Sequence, residues 1–363
     1  MPSRRSTVPN ALKFLNQYPR SSKLWRFNSS VLMATTGLLG RLFLYGFHNV
    51  ETPGLDKFIK TIDNAQRNGK GILTVANHIS VLDDPVLWGL LPISKMLNPT
   101  KLRWSLGAAN VCFTNKITSS FFSKGQVLCT HRFGAGPFQE SLDAAVQLAY
   151  PRKDITDTDK SLPDNRFGAF GTIPPQWIHI FPEALVHQVY PPHDSSMKYF
   201  HWGISRIVLE AEKVPVIVPI FHQGLEQVLP EDRKDLKYVP RTIFLPKFVR
   251  KFRSWLTGKP DPLLVTLKFG FGEPVADELF AEERQKWQQL SPEEFDGPAA
   301  RMLRSKVAAK LREQVSQVRL QMGYPEEDAR LRDHAFWSDI PSIKDVKIAG
   351  LYGNSNILNK KDL

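Results

Sequence analysis

The amino-acid sequence predicts an α/β fold in which a mixed sheet is flanked by helices. Apolar, β-rich segments alternate along the chain with segments of helical periodicity, which is the pattern of a sheet covered by helices. The 363 residues exceed the usual length of a single domain, and 42% of them are hydrophobic, which is enough for a sizeable core. We therefore expect one large α/β domain with additional segments at its ends.

Five strands are predicted from short apolar runs that end in turn residues. They cover residues 71–77, 125–133, 176–183, 214–221 and 263–270. Helices are predicted at 55–69, 138–150 and 203–213. A further helix is expected directly after the first strand, with Asp84 as its N-cap and Pro85 as its first helical residue.

Residues 51–275 form the predicted α/β domain, in which the polar residues 151–175 are an inserted loop. Residues 276–324 are predicted to be a C-terminal helical segment, because an amphipathic helix with one apolar stripe follows a Pro-bearing start. The stripe consists of Leu303, Val307, Leu311, Val315 and Val318. Residues 325–363 are polar and are expected to be a peripheral tail.

The N-terminal segment, residues 1–50, is basic, with seven Lys or Arg and no acidic residue before Glu51. This composition is typical of a mitochondrial targeting segment, and it also fits a basic arm on a membrane surface. Residues 31–47 are apolar but are interrupted by Arg41, two threonines and three glycines. We expect them to form a membrane-associating helix in the interface rather than a span, and 214–221 is too short to cross.

The formal net charge of +12 favours an anionic partner. Beyond the first fifty residues the basic residues are scattered and no aromatic–basic motif occurs, so we expect an anionic membrane surface and no nucleic acid. Cys112 and Cys129 cannot make a disulfide framework, and neither they nor the nine histidines have metal-ligand spacing. We predict no metal.

A polar turn follows the first predicted strand and contains His78 and Asp83. The two residues would lie about 140° apart on one continuous helix, but a strand-to-helix turn can bring them together. An aspartate bound to one ring nitrogen leaves the other nitrogen to accept a proton from a hydroxyl. Taken alone, the turn fits an ordinary helix start better than a catalytic pair. Ser80 is an alternative nucleophile, although no nucleophile-elbow pattern surrounds it.

Two further charged residues follow the second and third predicted strands. Arg132 precedes a glycine-containing turn and a helix, where a guanidinium can bind a phosphate. Glu183 follows Phe-Pro at a strand end. Each fits a solvated turn when taken alone. Because α/β folds bind ligands at the carboxyl ends of their strands, the order of all three features predicts one cleft.

The segments NHISVLDDP, HRFGAGPFQ, FPEA and VPVIVPIF resemble, in this order, the four motifs of the glycerolipid acyltransferase family. The longer stretches RWSLGAANVCFTN, WIHIFPE and MKYFHWGISRIVLEA resemble the mitochondrial phospholipid–lysophospholipid transacylases of that family. The resemblance covers about residues 45–275.

This resemblance implies a glycerolipid acyltransferase-like fold and an acyl exchange that needs neither coenzyme A nor another cofactor. The partners would be phosphatidylcholine, monolysocardiolipin and cardiolipin, and the exchange would remodel cardiolipin. The catalytic base and its partner fall on His78 and Asp83. The implied substrate-binding residues are Asn77, Arg132, Gly134 and Glu183. Interfacial attachment to the mitochondrial outer and inner membranes, facing the intermembrane space, is also implied.

One position departs from the family pattern, because the third motif ends in Ala184 where the family has glycine. If the backbone there needs a positive φ, the Cβ would cost stability or activity. Two alternatives therefore stay open beside the transacylase. One is an acyltransferase that uses acyl-CoA as donor, and the other is a membrane-surface protein with an impaired site.

Overall fold

The computed structural model describes residues 7–132, 136–151, 166–168, 173–188, 195–229, 246–258 and 264–338. Within these residues seven strands form one mixed sheet in the order β1-β7-β6-β2-β5-β3-β4. The strands are β1 (Asn49–Glu51), β2 (Ile72–Ala76), β3 (Trp104–Ala108), β4 (Val127–Thr130), β5 (Trp177–Ile180), β6 (Val216–Gln223) and β7 (Thr266–Phe271). Neighbouring strands are parallel except for β6 and β7.

Helices connect the strands and cover both faces of the sheet. In the described part of the chain they are α1 (Thr7–Leu15), α2 (Lys23–Leu42), α3 (Leu55–Arg67), α4 (Asp83–Leu87), α5 (Ile93–Met96), α6 (Ala109–Cys112), α7 (Lys116–Lys124), α8 (Glu140–Ala149), α9 (Gly203–Glu210), α10 (Leu225–Val228), α11 (Lys247–Thr257), α12 (Ala281–Gln289), α13 (Pro298–Gln321) and α14 (His334–Ser338). A π-helical turn, Phe43–Phe47, continues α2.

The central strand β2 is buried on both sides and separates two apolar cores. Leu73 and Val75 belong to the core that includes side chains of α1, α8, α9 and α13. Ile72 and Ala76 belong to the core on the other face, with side chains of α3 and α4. Successive side chains of a strand point to opposite faces, so this single apolar run serves both cores.

The predicted α/β class is confirmed, and the five predicted strands correspond to β2, β4, β5, β6 and β7. The sequence did not reveal β1, which has three residues, or β3, whose sequence WSLGA contains no β-branched residue. Tertiary pairing makes β3 a strand, because it lies between β4 and β5.

The predicted N-cap of the helix after β2 is wrong. Helix α4 begins at Asp83, and Leu82 occupies the N-cap position without a side-chain cap. Asp84 instead turns inward, where its carboxylate accepts hydrogen bonds from Arg103 and from the Trp88 indole. The ion pair with Arg103 keeps the pKa of Asp84 low despite burial, which opposes it.

Helix α1 is part of the core rather than of a peripheral N-terminal arm. Ala11 and Leu15 are fully buried, and α1 packs along α8. The Tyr18 hydroxyl donates to the carbonyl of Val127 at 2.9 Å. The N-terminal segment expected at residues 1–50 therefore does not form a separate structural unit.

Helix α2 is packed on one side and open on the other. Gly40 and Gly89 allow a close backbone approach, because a Cβ on Gly40 would lie 2.9 Å from the Pro85 carbonyl and one on Gly89 would lie 2.5 Å from the Arg41 nitrogen. The exposed apolar side chains are Leu24, Phe27, Val31, Leu38, Leu39, Leu42 and Tyr45. The stretch Lys23–Phe47 is long and apolar enough to cross a membrane, judged by length and composition alone.

The predicted C-terminal amphipathic helix is α13, and every residue of its predicted stripe is buried. Within the expected peripheral tail at 325–363, two described residues are anchored in the folded domain. Glu327 is buried and forms an ion pair with Arg312 of α13 at 2.9 Å, and Leu331 is fully buried. Residues 339–363 and most of the expected inserted loop at 151–175 lie outside the described residues.

Candidate active site

The side chains singled out in the sequence lie beyond the carboxyl ends of neighbouring strands. His78 follows β2, Arg132 follows β4, Glu183 follows β5, and His222 is near the end of β6. Parallel strands end at the same edge of a sheet, so the four loops meet there. The structure thus brings three separate sequence segments to one place, together with a fourth residue that the sequence analysis did not select.

His78 and Asp83 form a hydrogen-bonded pair. His78 Nδ1 lies 2.8 Å from Asp83 Oδ2, and the Asp83 side chain is fully buried while that of His78 keeps 22% of its surface. The same oxygen accepts the backbone N–H groups of Ile79 at 2.7 Å and Ser80 at 3.0 Å. Because an ionised carboxylate only accepts, Nδ1 is the protonated nitrogen and Nε2 carries the lone pair.

The His78 ring is fixed by packing as well as by this hydrogen bond. The ring of Phe181 stacks on it with 4.5 Å between the ring centroids. Ser80, the alternative nucleophile, is 1% exposed, and its hydroxyl oxygen accepts the Leu82 N–H at 3.3 Å. Its burial removes it from contact with a substrate.

Asn77 and His222 join the ends of β2 and β6. The Asn77 side chain donates to the His222 carbonyl and accepts the His222 N–H, each at 2.9 Å. The His222 ring contacts the Asn77 carbonyl at 2.9 Å and lies 3.8 Å from the Asp83 carboxylate. Burial lowers the pKa of His222. Asn77 is 2% exposed and holds the turn in place, and its expected contact with substrate stays a prediction.

Glu183 is also a buried group whose carboxylate binds backbone amides, and its expected contact with substrate stays a prediction. One carboxylate oxygen accepts the His78 N–H at 2.8 Å, and the other accepts the Lys198 N–H at 2.9 Å. The side chain is 1% exposed. Burial raises the pKa of Glu183 to about 8, although both hydrogen bonds oppose the shift. Glu183 therefore links the turn that carries His78 to residues 195–200.

A second set of contacts holds that segment from the C-terminal side. Arg312 donates to the carbonyls of Met197 and Lys198 at 2.6 and 2.9 Å, and Glu327 accepts the Met197 N–H at 2.6 Å. Glu327 thus binds Met197, the next residue Lys198 binds Glu183, and Glu183 binds the backbone of His78. These contacts connect Glu327 to the turn that carries His78. Neither Arg312 nor Glu327 lies in a motif that the sequence analysis selected.

Arg132 lies against the turn that carries Glu183. Its guanidinium donates to the Ala184 carbonyl at 3.1 Å and to Asn110 Oδ1 at 3.2 Å. Ala184 has a φ of 62°, in the left-handed region that favours glycine. The positive φ considered from the sequence is therefore present. Gly134, expected to bind substrate, lies outside the described residues.

A cavity of about 1430 Å³ opens beside these residues. Its lining includes His78 and Arg132, together with apolar side chains from α2, β3, α7 and α13. A cavity of this size exceeds the usual range for a drug-sized ligand, and its apolar walls fit acyl chains. Nε2 of His78 is thus placed where an apolar substrate with a polar head can reach it.

No group of three or more His, Cys, Asp or Glu in the described part of the chain could hold a metal ion. The absence of a metal and of a cofactor from the reaction stays a prediction.

His222 could have been found from the sequence, since it directly follows the predicted strand 214–221 at the edge where ligands bind.

The family model described as Acyltransferase matches residues 57–223, which contain β2 to β6 and every predicted site residue. The protein is therefore an acyltransferase enzyme. Tafazzin of Saccharomyces cerevisiae is 35% identical over 372 residues, covering 95% of this chain and 93% of that protein. The chain belongs to the tafazzin family and functions as a phospholipid acyltransferase.

Two further relatives match a shorter part of the chain. The Dictyostelium discoideum protein named Taffazin is 34% identical over 209 residues, covering 56% of this chain and 63% of that protein. Tafazzin of Drosophila melanogaster is 31% identical over 209 residues, covering 58% of this chain and 47% of that protein.

We predict that Ala184→Gly stabilises the protein. The backbone at φ 62° places the alanine Cβ close to its own carbonyl, and glycine removes this strain. The free energy of unfolding in urea should rise by about 1 kcal/mol. Gln126→Gly is the contrast, because Gln126 also has a positive φ of 59° but its buried side chain donates to two carbonyls. That variant should lose stability, and an Ala184→Gly protein no more stable than the wild type would contradict the strain.

We also predict that Glu183 makes the protein less stable as the pH rises. Its pKa is raised from 4.5 to about 8 in the folded state, so the unfolded chain loses this proton first. Between these values the free energy of unfolding should fall by up to about 1.4 kcal/mol per pH unit. Glu183→Gln should remove this slope in urea unfolding series, and the exposed Glu313→Gln should keep it. An equal slope in the wild type and Glu183→Gln would contradict the shift.

Proposed function

We propose that this enzyme moves an acyl group from a phospholipid to a lysophospholipid without coenzyme A, with His78 as the general base. The observation that carries the proposal is the buried Asp83 carboxylate 2.8 Å from Nδ1 of a histidine that lines the cavity. That arrangement fits the transfer of a proton from a hydroxyl to Nε2.

In the first step Nε2 takes the proton of the lysophospholipid hydroxyl, and the hydroxyl oxygen attacks the ester carbonyl of the donor. A C–O bond forms and the carbonyl oxygen becomes negatively charged. In the second step the ester bond to the donor glycerol breaks, and the departing oxygen takes the proton from His78. The imidazolium present between the two steps is stabilised by Asp83 at 2.8 Å.

Arg132 is the group that we assign to the phosphate of a lipid or to the developing oxyanion. It lines the cavity, and its contacts with Ala184 and Asn110 orient the planar guanidinium. Glu183 accepts the His78 N–H, and Asn77 joins the ends of β2 and β6. We therefore assign both residues the role of positioning His78.

The identity of the two lipids rests on the family. The relatives named tafazzin and the resemblance of the motifs support phosphatidylcholine as donor and monolysocardiolipin as acceptor, with cardiolipin as product. The volume of about 1430 Å³ and the apolar walls support a cavity that holds lipid chains from both partners. The same relatives support a mitochondrial location.

Interfacial attachment to the outer and inner membranes, facing the intermembrane space, fits the structure of α2. One side of this helix packs on α4 and the turn after it, at glycines that admit no side chain, while the other side is apolar and exposed. A helix docked along its length on a globular domain is suited to lie in the membrane surface, and crossing would require it to leave that domain.

Helix α11 provides a second apolar surface next to α2, because it packs on the π-helical turn that continues α2. Phe248, Phe252 and Trp255 are 74%, 62% and 76% exposed. The helix also contains basic residues, among them Lys251 and Arg253, and no acidic residue. Exposed aromatic rings flanked by cations fit the interface of an anionic membrane.

The central test is an assay of purified protein with labelled phosphatidylcholine and monolysocardiolipin in the absence of coenzyme A. Label should appear in cardiolipin, and His78→Ala should lower the rate at least about 100-fold because the base is lost. Asp83→Asn should lower it at least about tenfold, since the imidazolium loses its counter-charge.

Ala184→Gly serves as the control for an impaired copy. Strict dependence on added acyl-CoA would select the alternative donor, and full transfer by His78→Ala would refute the assigned base. A protein that binds the vesicles but leaves their acyl composition unchanged, even with Ala184→Gly, would select the impaired membrane-surface protein.

For the membrane surface we predict that Phe252→Glu with Trp255→Glu lowers binding to cardiolipin-bearing vesicles about tenfold, because two carboxylates replace exposed aromatic rings that the membrane interface would cover. The measurement is co-sedimentation with vesicles. Met302→Glu is the matched control, since Met302 is 54% exposed but lies on α13. Unchanged binding of the double variant would rule out α11 as a membrane contact.

A further inference from the structure

A second groove, of about 470 Å³, lies between α2 and α7. Its lining consists of Leu32, Lys116, Ile117, Ser120, Phe121 and Lys124. Leu32 and Phe121 also line the large cavity that contains His78. The groove is therefore adjacent to the candidate active site, and the side chains of Leu32 and Phe121 lie at the boundary between the two.

Helix α7, which provides most of the residues that line the groove, is fixed at both ends. The Ser29 hydroxyl of α2 donates to the Lys124 carbonyl at the C-terminal end of α7, at 2.6 Å. A capping box between Asn115 and Thr118 fixes the other end of α7. Both ends of α7 are therefore fixed. The Ile117 side chain of this helix is 82% exposed.

The chemistry of the groove matches a phospholipid in a bilayer. Its apolar lining residues are Leu32, Ile117 and Phe121, and two lysines, Lys116 and Lys124, also line it. The six lining residues include no carboxylate. An acyl chain fits the apolar side chains, and a lipid phosphate at the membrane surface is complementary in charge to the lysines.

The position of the groove favours the same occupant. The outer side of α2 exposes Phe27 and Val31, by 65% and 49%, next to Leu32 in the chain. If α2 lies in the membrane interface, the groove opens towards the lipid chains. Without such a path, a long acyl chain would be exposed to water during its transfer to the cavity, which is unfavourable.

We propose that this groove is a portal through which an acyl chain of a bilayer phospholipid enters the cavity laterally while its phosphate stays at Lys116 and Lys124. The proposal rests on the proposed function and adds the path by which the substrate arrives. It also gives α7 a part in substrate selection, since Ile117, Ser120 and Phe121 of this helix line the groove.

The first test does not depend on catalysis. Vesicles of phosphatidylcholine and cardiolipin that contain a phospholipid with a diazirine on its acyl chain are irradiated with the His78→Ala protein, and labelled peptides are identified. Label should appear at Leu32, Ile117 and Phe121. Ser120→Trp, which fills the groove, should reduce this label at least fivefold while labelling of α11 persists. Label absent from the groove, or unaffected by Ser120→Trp, would overturn the portal.

The second test compares two substrates of the active enzyme. Ser120→Trp should slow transfer from long-chain lipids in vesicles about tenfold more than transfer from short-chain lipids dissolved as monomers, because monomers reach the cavity directly. The control is Gln285→Trp. Gln285 lies on α12, a helix that packs on α9 and α13, and this variant should transfer acyl groups from both substrates at the unaltered rate. Equal slowing of both substrates by Ser120→Trp would refute the portal.

The charge of the two lysines is tested separately. Lys116→Gln with Lys124→Gln should raise KM for vesicle lipids several-fold at low salt and leave kcat unchanged, and added salt should remove the difference. Lys60→Gln with Lys306→Gln is the matched control. If the unaltered enzyme transfers no acyl group from either substrate, the proposed function fails, and the labelling experiment still decides whether lipid occupies the groove.

Discussion

The site depends on one buried carboxylate oxygen, Asp83 Oδ2, which accepts three hydrogen bonds. Two come from the backbone of Ile79 and Ser80 and one from the His78 ring. The backbone donors fold the turn around the carboxylate, and the same oxygen then orients the imidazole. Removing this carboxyl group would leave two buried N–H groups without this acceptor, so the shape of the turn and the orientation of the histidine cannot be changed separately.

The surrounding structure serves to keep this turn at the edge of the sheet. Asn77 connects it to β6, and Glu183 connects it to the segment after β5. Both side chains are buried polar groups whose hydrogen bonds are satisfied by backbone atoms. A buried polar group without a partner is costly, so any arrangement of the strand ends that breaks these hydrogen bonds is disfavoured. The two side chains therefore hold the cavity wall in place where proton transfer is proposed.

Local sequence patterns were sufficient to predict the sheet class and the strand ends, and the family resemblance of the motifs was needed to predict the pairing of His78 with Asp83. They were insufficient wherever a long-range contact decides the role. Glu183 was expected to touch substrate because it follows a strand, but its partners, the amides of His78 and Lys198, are unrelated to it in sequence. Likewise Asp84 has the residue type of an N-cap, yet pairing with Arg103 across the fold takes its carboxylate elsewhere.

The contacts of the buried Glu327 determine when, during synthesis of the chain, the turn that carries His78 gains its full support. Glu327 lies more than a hundred residues after the last predicted site residue, yet it binds the segment that orders Glu183 and hence His78. A nascent chain that already contains every proposed catalytic and phosphate-binding group still lacks this final contact. The hydrogen bonds that hold the segment beside Glu183 can therefore form only after residue 327 has been made, so a chain cut before that residue lacks this support of His78 even with its motifs intact.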